Sequence, residues 1–230
     1  LVVGADGVNS GIRQRLLPQA EKSYSGFTFW LAWVERTFPK PDGPINYFGD
    51  RTMVGIFPTA DEKRVGALFL LPAAAKAFDR INGREHLRTH FKYMRGEVPA
   101  LLAALPDSSH IYHADDDEIL LKEWHRGRVA LLGDAVHAIS PLLGMGASMA
   151  MEDAYVLAQE LTRADTIDQA RERYVRRRLP RVRFLARWSY AVHNVLAIGS
   201  HLYRPRNMFV PQVFSPGSER LVKQFLRRQP

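Results

Sequence analysis

Glycines at 144 and 146 stand directly before a run whose apolar positions, Ala150, Ala154, Leu157 and Leu161, recur at helical spacing. Glycine lets the backbone approach a ligand closely and adopt angles that other residues avoid. The free N–H groups of the helix's first turn then point at that ligand. With the helix dipole they favour negative charge, whether of a phosphate, a carboxylate or a delocalised ring anion. Upstream lies Asp134, a residue that is acceptor-only when ionised and so can take hydrogen bonds from a sugar-like hydroxyl.

The elements that must position these groups follow one another closely. Val129–Leu132 is a short apolar run bounded by Gly127 and Gly133, as in a strand buried on both faces. Gly133–Gly146 carries Asp134, His137, Ser140, Pro141, Gly144 and Gly146, a density of glycine and polar residues that predicts a loop. A helix follows over Ala147–Arg163. Spacing alone also fits an ordinary strand, a loop and a glycine-started helix with no ligand.

Gly133-Asp134-Ala-Val-His137, then Pro141-x-x-Gly144-x-Gly146 and Glu152-Asp153-Ala154, resembles the second FAD-binding motif of the flavoprotein aromatic hydroxylases, the single-component FAD monooxygenases. Asp6-Gly7-Val8-Asn9-Ser10-Gly11-Ile12-Arg13, after the apolar run Leu1–Val3, resembles that family's other internal motif, Asp-Gly-x-x-Ser-x-x-Arg. The two motifs stand in the family's order with room for a middle domain between them. The family's Gly-x-Gly-x-x-Gly turn, which receives the FAD pyrophosphate, is absent from the sequence, so the chain is expected to be the C-terminal part of such an enzyme.

The resemblance implies an α/β (α+β) fold like that of p-hydroxybenzoate hydroxylase. Its expected parts are a Rossmann-like FAD-binding domain lacking its N-terminal portion, an antiparallel substrate domain and C-terminal helices. On this sequence that gives FAD-domain segments at 1–20 and 123–163, a substrate domain at 21–122 and a helical region at 164–230. FAD contacts are implied for Asp6, Arg13, Gly133, Asp134, Pro141, Gly144, Met145, Gly146 and Ala147, with Pro141 shaping the flavin site. The implied activity uses NAD(P)H and O2 to hydroxylate a small aromatic or related electron-rich substrate through a flavin hydroperoxide. His137 reads as a loop-bracing hydrogen-bond group rather than a base, and no catalytic side chain stands out. Other flavoenzymes of the same fold, a halogenase or a reductase, and a truncated non-catalytic module are the alternatives. The halogenase element Trp-x-Trp-x-Ile-Pro is not matched by Trp30-Leu-Ala-Trp33.

With 46% hydrophobic and 24% charged residues the composition suits a globular domain with a sizeable core. The absence of cysteine excludes disulfides, thiolate metal sites and thiol catalysis, and fits a reducing compartment. Neither a signal-peptide pattern nor an apolar run long enough to span a bilayer is present, so the expected location is the cytoplasm. Much of the formal charge of +8 comes from the arginines between Arg171 and Arg187. Without interleaved stacking aromatics or a groove-reading motif this run does not suggest nucleic-acid binding, and it reads as a solvated face or one paired with acids outside the chain. His110, His113 and His125 lack metal-ligand spacing.

Along the rest of the chain, Ser10–Leu17 predicts a short helix stopped by Pro18. Aromatic and β-branched stretches predict strands through Phe27–Val34, Ile45–Phe48, Met53–Phe57 and Val65–Leu71. Trp30, Trp33, Phe48 and Phe57 are the candidate walls of a cavity for a flat substrate, although alternation puts Trp30 and Trp33 on opposite faces. Arg84–Leu105 predicts a helix split by Gly96 and Pro99, and Ile111–Leu121 an extended segment. Asp168–Arg187 predicts a helix broken or kinked at Pro180, continued by Phe184–Leu202, a loop at Tyr203–Pro211 and a last helix at Glu219–Arg228.

Overall fold

The computed structural model describes residues 1–78, 81–198 and 202. The predicted loop at 203–211 and the helix at 219–228 lie outside the described residues. In order, the elements are β1 (Val2–Gly4), α1 (Gly11–Leu16), β2 (Ser23–Glu35), β3 (Ile45–Phe48), β4 (Met53–Pro58), β5 (Arg64–Pro72), α2 (Gly83–Phe91) and α3 (Val98–Ala103). They continue with β6 (Tyr112–Glu118), β7 (His125–Arg126), β8 (Val129–Leu131), α4 (Asp134–His137), α5 (Gly146–Arg163) and α6 (Ile167–Ala197). Two compact units result, one formed by Leu1–Ser25 with Asp117–Val195, the other built on Gly26–Asp116.

The first unit holds a sheet of order β1-β8-β7, in which β1 and β8 run parallel with Val2 opposite Val129 and Gly4 opposite Leu131. Leu131, Val136, Met149, Val156, Leu157, Tyr174 and Val182 form its buried core, so β8, α4, α5 and α6 share one apolar interior. The Tyr174 hydroxyl donates to the Leu131 carbonyl at 3.2 Å, which satisfies a polar group that burial would otherwise leave unpaired.

Two expectations are corrected here. The segment after β8 is not all loop, because α4 follows Gly133 and a 3-10 turn covers Pro141–Leu143; a helix of one turn is too short to show a period. α6 runs unbroken through Pro180. Proline removes a single backbone donor, and Tyr174 on one side of it and Val182 and Leu185 on the other are all anchored in the same core.

The second unit is a sheet of order β3-β4-β5-β2-β6. β2 pairs antiparallel with β5, Trp30 opposite Phe69, and β5 antiparallel with β4, Val54 again opposite Phe69. One face packs Trp30, Ala32, Val34, Val54, Ile56, Ala67 and Phe69 against Leu87 and Phe91 of α2 and Val98 and Leu101 of α3. Gly96, at φ +69°, separates the two helices, whereas Pro99 sits in the first turn of α3, where its missing N–H breaks no bond.

Strand alternation puts Phe29, Leu31, Trp33, Phe48, Met53, Phe57, Leu68 and Leu70 on the other face. Phe57 and Trp33 flank Gly66 in one row across three strands. Their rings meet edge to face at 6.0 Å, and the Phe57 ring occupies the space that a side chain at Gly66 would need. The expectation for Trp30 is corrected by this arrangement. Trp30 is 0% exposed on the helix-covered face, packed against Phe78 and His113, while Trp33 is 55% exposed on the opposite one.

Candidate functional site

The Asp-Gly segment is a self-capped helix start. Asp6 Oδ1 accepts from the Ser10 hydroxyl at 2.5 Å and Oδ2 from the Ile12 N–H at 3.1 Å, while Ser10 Oγ accepts from the Arg13 N–H at 2.9 Å. Desolvation works against ionisation of Asp6, but the Ser10 hydroxyl and the nearby amides outweigh it and hold the carboxyl below its ordinary value. Arg13 is 1% exposed and its two Nη atoms donate to main-chain carbonyls, Val8 at 2.7 Å and Ala135 at 3.0 Å. The guanidinium therefore clamps the first motif to α4 in the second, while the carboxylate of Asp6, an exposed residue, accepts from the start of α1.

Replacing Arg13 by Ala removes two charge-assisted bonds and leaves the Ala135 carbonyl without its donor, at a cost of about 2 kcal/mol. The urea midpoint should fall accordingly, and Arg13→Lys should recover only part of the loss. An unchanged midpoint in Arg13→Ala would mean that the clamp is not needed to hold α4.

Gly133 enters α4 at φ +60° and ψ −145°, a conformation open essentially to glycine alone. Ala135, Val136 and His137 are buried, and Asp134 is the exposed residue of the helix. No donor among the described residues binds the Asp134 carboxylate. Ser140 Oγ, just before Pro141, is likewise buried without a partner among the described residues.

The left-handed residue of the following turn is Gly144, at φ +60°, and not Gly146. At Gly146 a Cβ would meet only Asp134 Oδ1, at 3.8 Å, an ordinary contact. The start of α5 has no side-chain cap and no acidic residue in its first turn, and Gly144, Ala147 and Ser148 are exposed. Asp134 thus lies beside Gly146, with Gly144 and Ala147 exposed and Met145 packed against the core: an acceptor-only carboxylate beside an uncapped helix start. These residues suit a ligand with hydroxyls for Asp134 and a delocalised negative charge for the helix end, as in FAD.

Behind the loop lies a buried ion network that sequence reasoning missed. Asp153 and Arg178 are both 0% exposed and joined through Oδ1 and Nε at 2.6 Å. Arg178 also pairs with Glu152, which takes Arg181 as well, and Arg177 pairs with Glu160. The arginine run is consequently not simply a solvated face: buried Arg178 and Arg181 find their acids on α5, and buried Arg171 finds Asp168 on α6 itself. Glu152 and Asp153 face these arginines rather than compensating the helix dipole from the first turn. Desolvation would raise the Asp153 pKa, but the hydrogen bond and charge of His137 and the Arg178 guanidinium together hold it below the usual carboxylate value. His137 braces the loop as its place in the motif implies, through Nε2 and Asp153 Oδ2 at 2.5 Å.

The chain matches the FAD binding domain family over residues 1–189 and belongs to it. FAD is that family's cofactor. Among its relatives, the 2-heptyl-3-hydroxy-4(1H)-quinolone synthase of Pseudomonas aeruginosa is 30% identical over 69% of this chain and 42% of its own. The aurachin C monooxygenase/isomerase of Stigmatella aurantiaca is 29% identical over 85% of this chain and 51% of its own. Klebsiella pneumoniae HpxO, solved in complex with FAD and uric acid, superposes with a TM-score of 0.82 at 28% identity, over 98% of this chain and 58% of that one. The chain spans about half the length of these relatives. Among the described residues, no helix is long and apolar enough to cross a membrane.

Proposed function

We propose that the whole protein is an FAD-dependent monooxygenase that uses NAD(P)H and O2 to hydroxylate a small aromatic or related electron-rich molecule, with the cytoplasm as its compartment. The observation that carries this reading is the open edge formed by the unpartnered Asp134 carboxylate and the uncapped start of α5. When bound, FAD supplies the redox chemistry, accepting hydride from the nicotinamide and activating O2 for transfer to the substrate. The chain's own groups bind and orient. Asp134 takes hydroxyls of the cofactor's sugar-like chain, and the N–H groups from Gly146 onward stabilise negative charge on the ring. Pro141, with fixed φ and no N–H, shapes the ring's surroundings. Asp6 and Arg13 serve the cofactor by holding the loop. Trp33, Phe48 and Phe57 share the sheet face that suits a flat apolar substrate, and Trp30 supports that sheet from its other side.

The test compares two variants of the whole protein. A Cβ added at Gly146 meets only an ordinary contact inside the protein, so the FAD-free fold should tolerate Gly146→Val within about 1 kcal/mol. With FAD bound, the side chain obstructs the approach to the helix start, and the flavin midpoint potential should fall by the equivalent of roughly 2.7–4 kcal/mol, the worth of one oxyanion-type donor. Asp134→Ala should weaken FAD binding and leave the potential of the saturated protein unchanged. An unaltered potential in Gly146→Val would show that α5 does not face the flavin ring.

A further inference from the structure

One buried carboxylate brackets the short helix that carries Asp134. Asp153 Oδ2 accepts the Gly133 N–H at 2.8 Å and pairs with His137 Nε2 at 2.5 Å, so a single oxygen touches both the residue before α4 and the residue that ends it. The other oxygen accepts from Arg178 Nε at 2.6 Å. Arg178 is itself fixed by the Met149 carbonyl, at 3.1 Å from Nη2, and by Glu152. The guanidinium is planar and its donors form a rigid fork, so with all three of these bonds made it has one orientation.

We propose that Arg178 on α6 is a positioning residue for FAD: acting through Asp153, it sets the direction in which α4 presents Asp134. A buried ion pair is a poor source of stability, because well-packed apolar residues of the same volume often do as well or better. What apolar residues cannot supply is the orientation of a carboxylate. Here that orientation governs Gly133, whose φ of +60° and ψ of −145° require a restraint, and the N–H bound by Asp153 is that restraint. The remaining residues of α4 are buried, so any tilt of this one-turn helix is expressed at Asp134.

The proposal rests on Asp134 serving FAD, and a double-mutant comparison separates the two ideas. The FAD dissociation constant of the whole protein is measured by titration for wild type, Asp134→Ala, Arg178→Met and the double variant. Arg178→Met should raise Kd on the order of 10–100-fold, the usual range for a group acting on a ligand-bearing residue at one remove, and Asp134→Ala should raise it at least as much. The double variant should bind no worse than Asp134→Ala, because the direction of an absent carboxylate has no effect. If Arg178→Met weakens FAD by the same factor in both backgrounds, general loosening accounts for it and the positioning role is overturned. An unchanged Kd in Asp134→Ala alone overturns the assignment of Asp134 and this proposal with it. Should Arg178→Met fail to fold, Arg178→Lys carries the same comparison, since it keeps the charge and loses the fork. Wild-type affinity in Arg178→Lys would also overturn the proposal.

Discussion

Gly133→Ala should lower the free energy of unfolding by roughly 3 kcal/mol or more, through two costs that arise at the same atom. The first is conformational. At φ +60° and ψ −145° a Cβ clashes with its own backbone, a strain of about 1–3 kcal/mol. The second is packing, because that Cβ would lie 2.9 Å from the Cβ of Ala150 on α5, and overpacking of this kind costs about 1–3 kcal/mol. The backbone has little room to yield. The Gly133 N–H is held by Asp153, and its carbonyl accepts from the N–H groups of Val136 and His137. Urea unfolding measures the loss, and Ala150→Gly in the same chain should relieve the packing part while leaving the strain. A wild-type midpoint in Gly133→Ala would show that the loop has an alternative path of equal energy.

The second large effect is that of Arg178→Met, and its signature is its dependence on pH. Removing one partner of a buried pair strands the other, at a cost of about 3–5 kcal/mol near neutrality. Asp153, whose ionised form burial disfavours, is held below the ordinary carboxylate pKa by His137 and Arg178 together. A carboxyl with a depressed folded pKa contributes stability that is present above its unfolded pKa, about 3.9, and is lost as pH falls through the folded value. The wild type should therefore lose this contribution only in acid. In Arg178→Met the part that comes from Arg178 is already gone, so the gap between variant and wild type should be widest near pH 7 and narrow below about pH 4. Urea midpoints measured across that range decide the matter, and a gap that stays constant would place the loss in packing rather than in charge.

Much of the site was legible because it is local. Asp134, Gly144 and Gly146 lie within one short stretch of sequence, and glycine before a helical period carries its own physical meaning. The Asp153 network was not legible, since its partners lie 16 to 25 residues from it and meet it only when α5 packs against both α4 and α6. The arginine run shows the same limit, for composition reports charge and not which charge faces an acid. In the sheet, alternation was enough to separate Trp30 from Trp33, yet only the placement of α2 and α3 determines which of those faces is core. Pro180 was misleading because a local rule about one lost hydrogen bond was set against a core that anchors the helix on both sides.

The two units also differ in how the chain supplies them. Most of the second unit's sheet comes from one uninterrupted stretch, Gly26–Asp116, whereas the sheet and helices of the first unit come from the pieces on either side of that stretch. The β1–β8 pair, Val2 opposite Val129, must therefore close a very long loop before it gains any hydrogen bond. The exit and return of the chain lie side by side, with the Ser23 hydroxyl donating to the Glu118 carbonyl at 3.4 Å. Once the inserted sheet has folded, the closure involves a much shorter effective loop, at a saving of about 0.6 kcal/mol for each halving. The order of assembly expected from this is that the antiparallel sheet forms early and the parallel pair late. A mutation that slows folding of β4 or β5 should thus delay the ordering of the segment from Gly133 to Gly146, although neither strand contributes a residue to it.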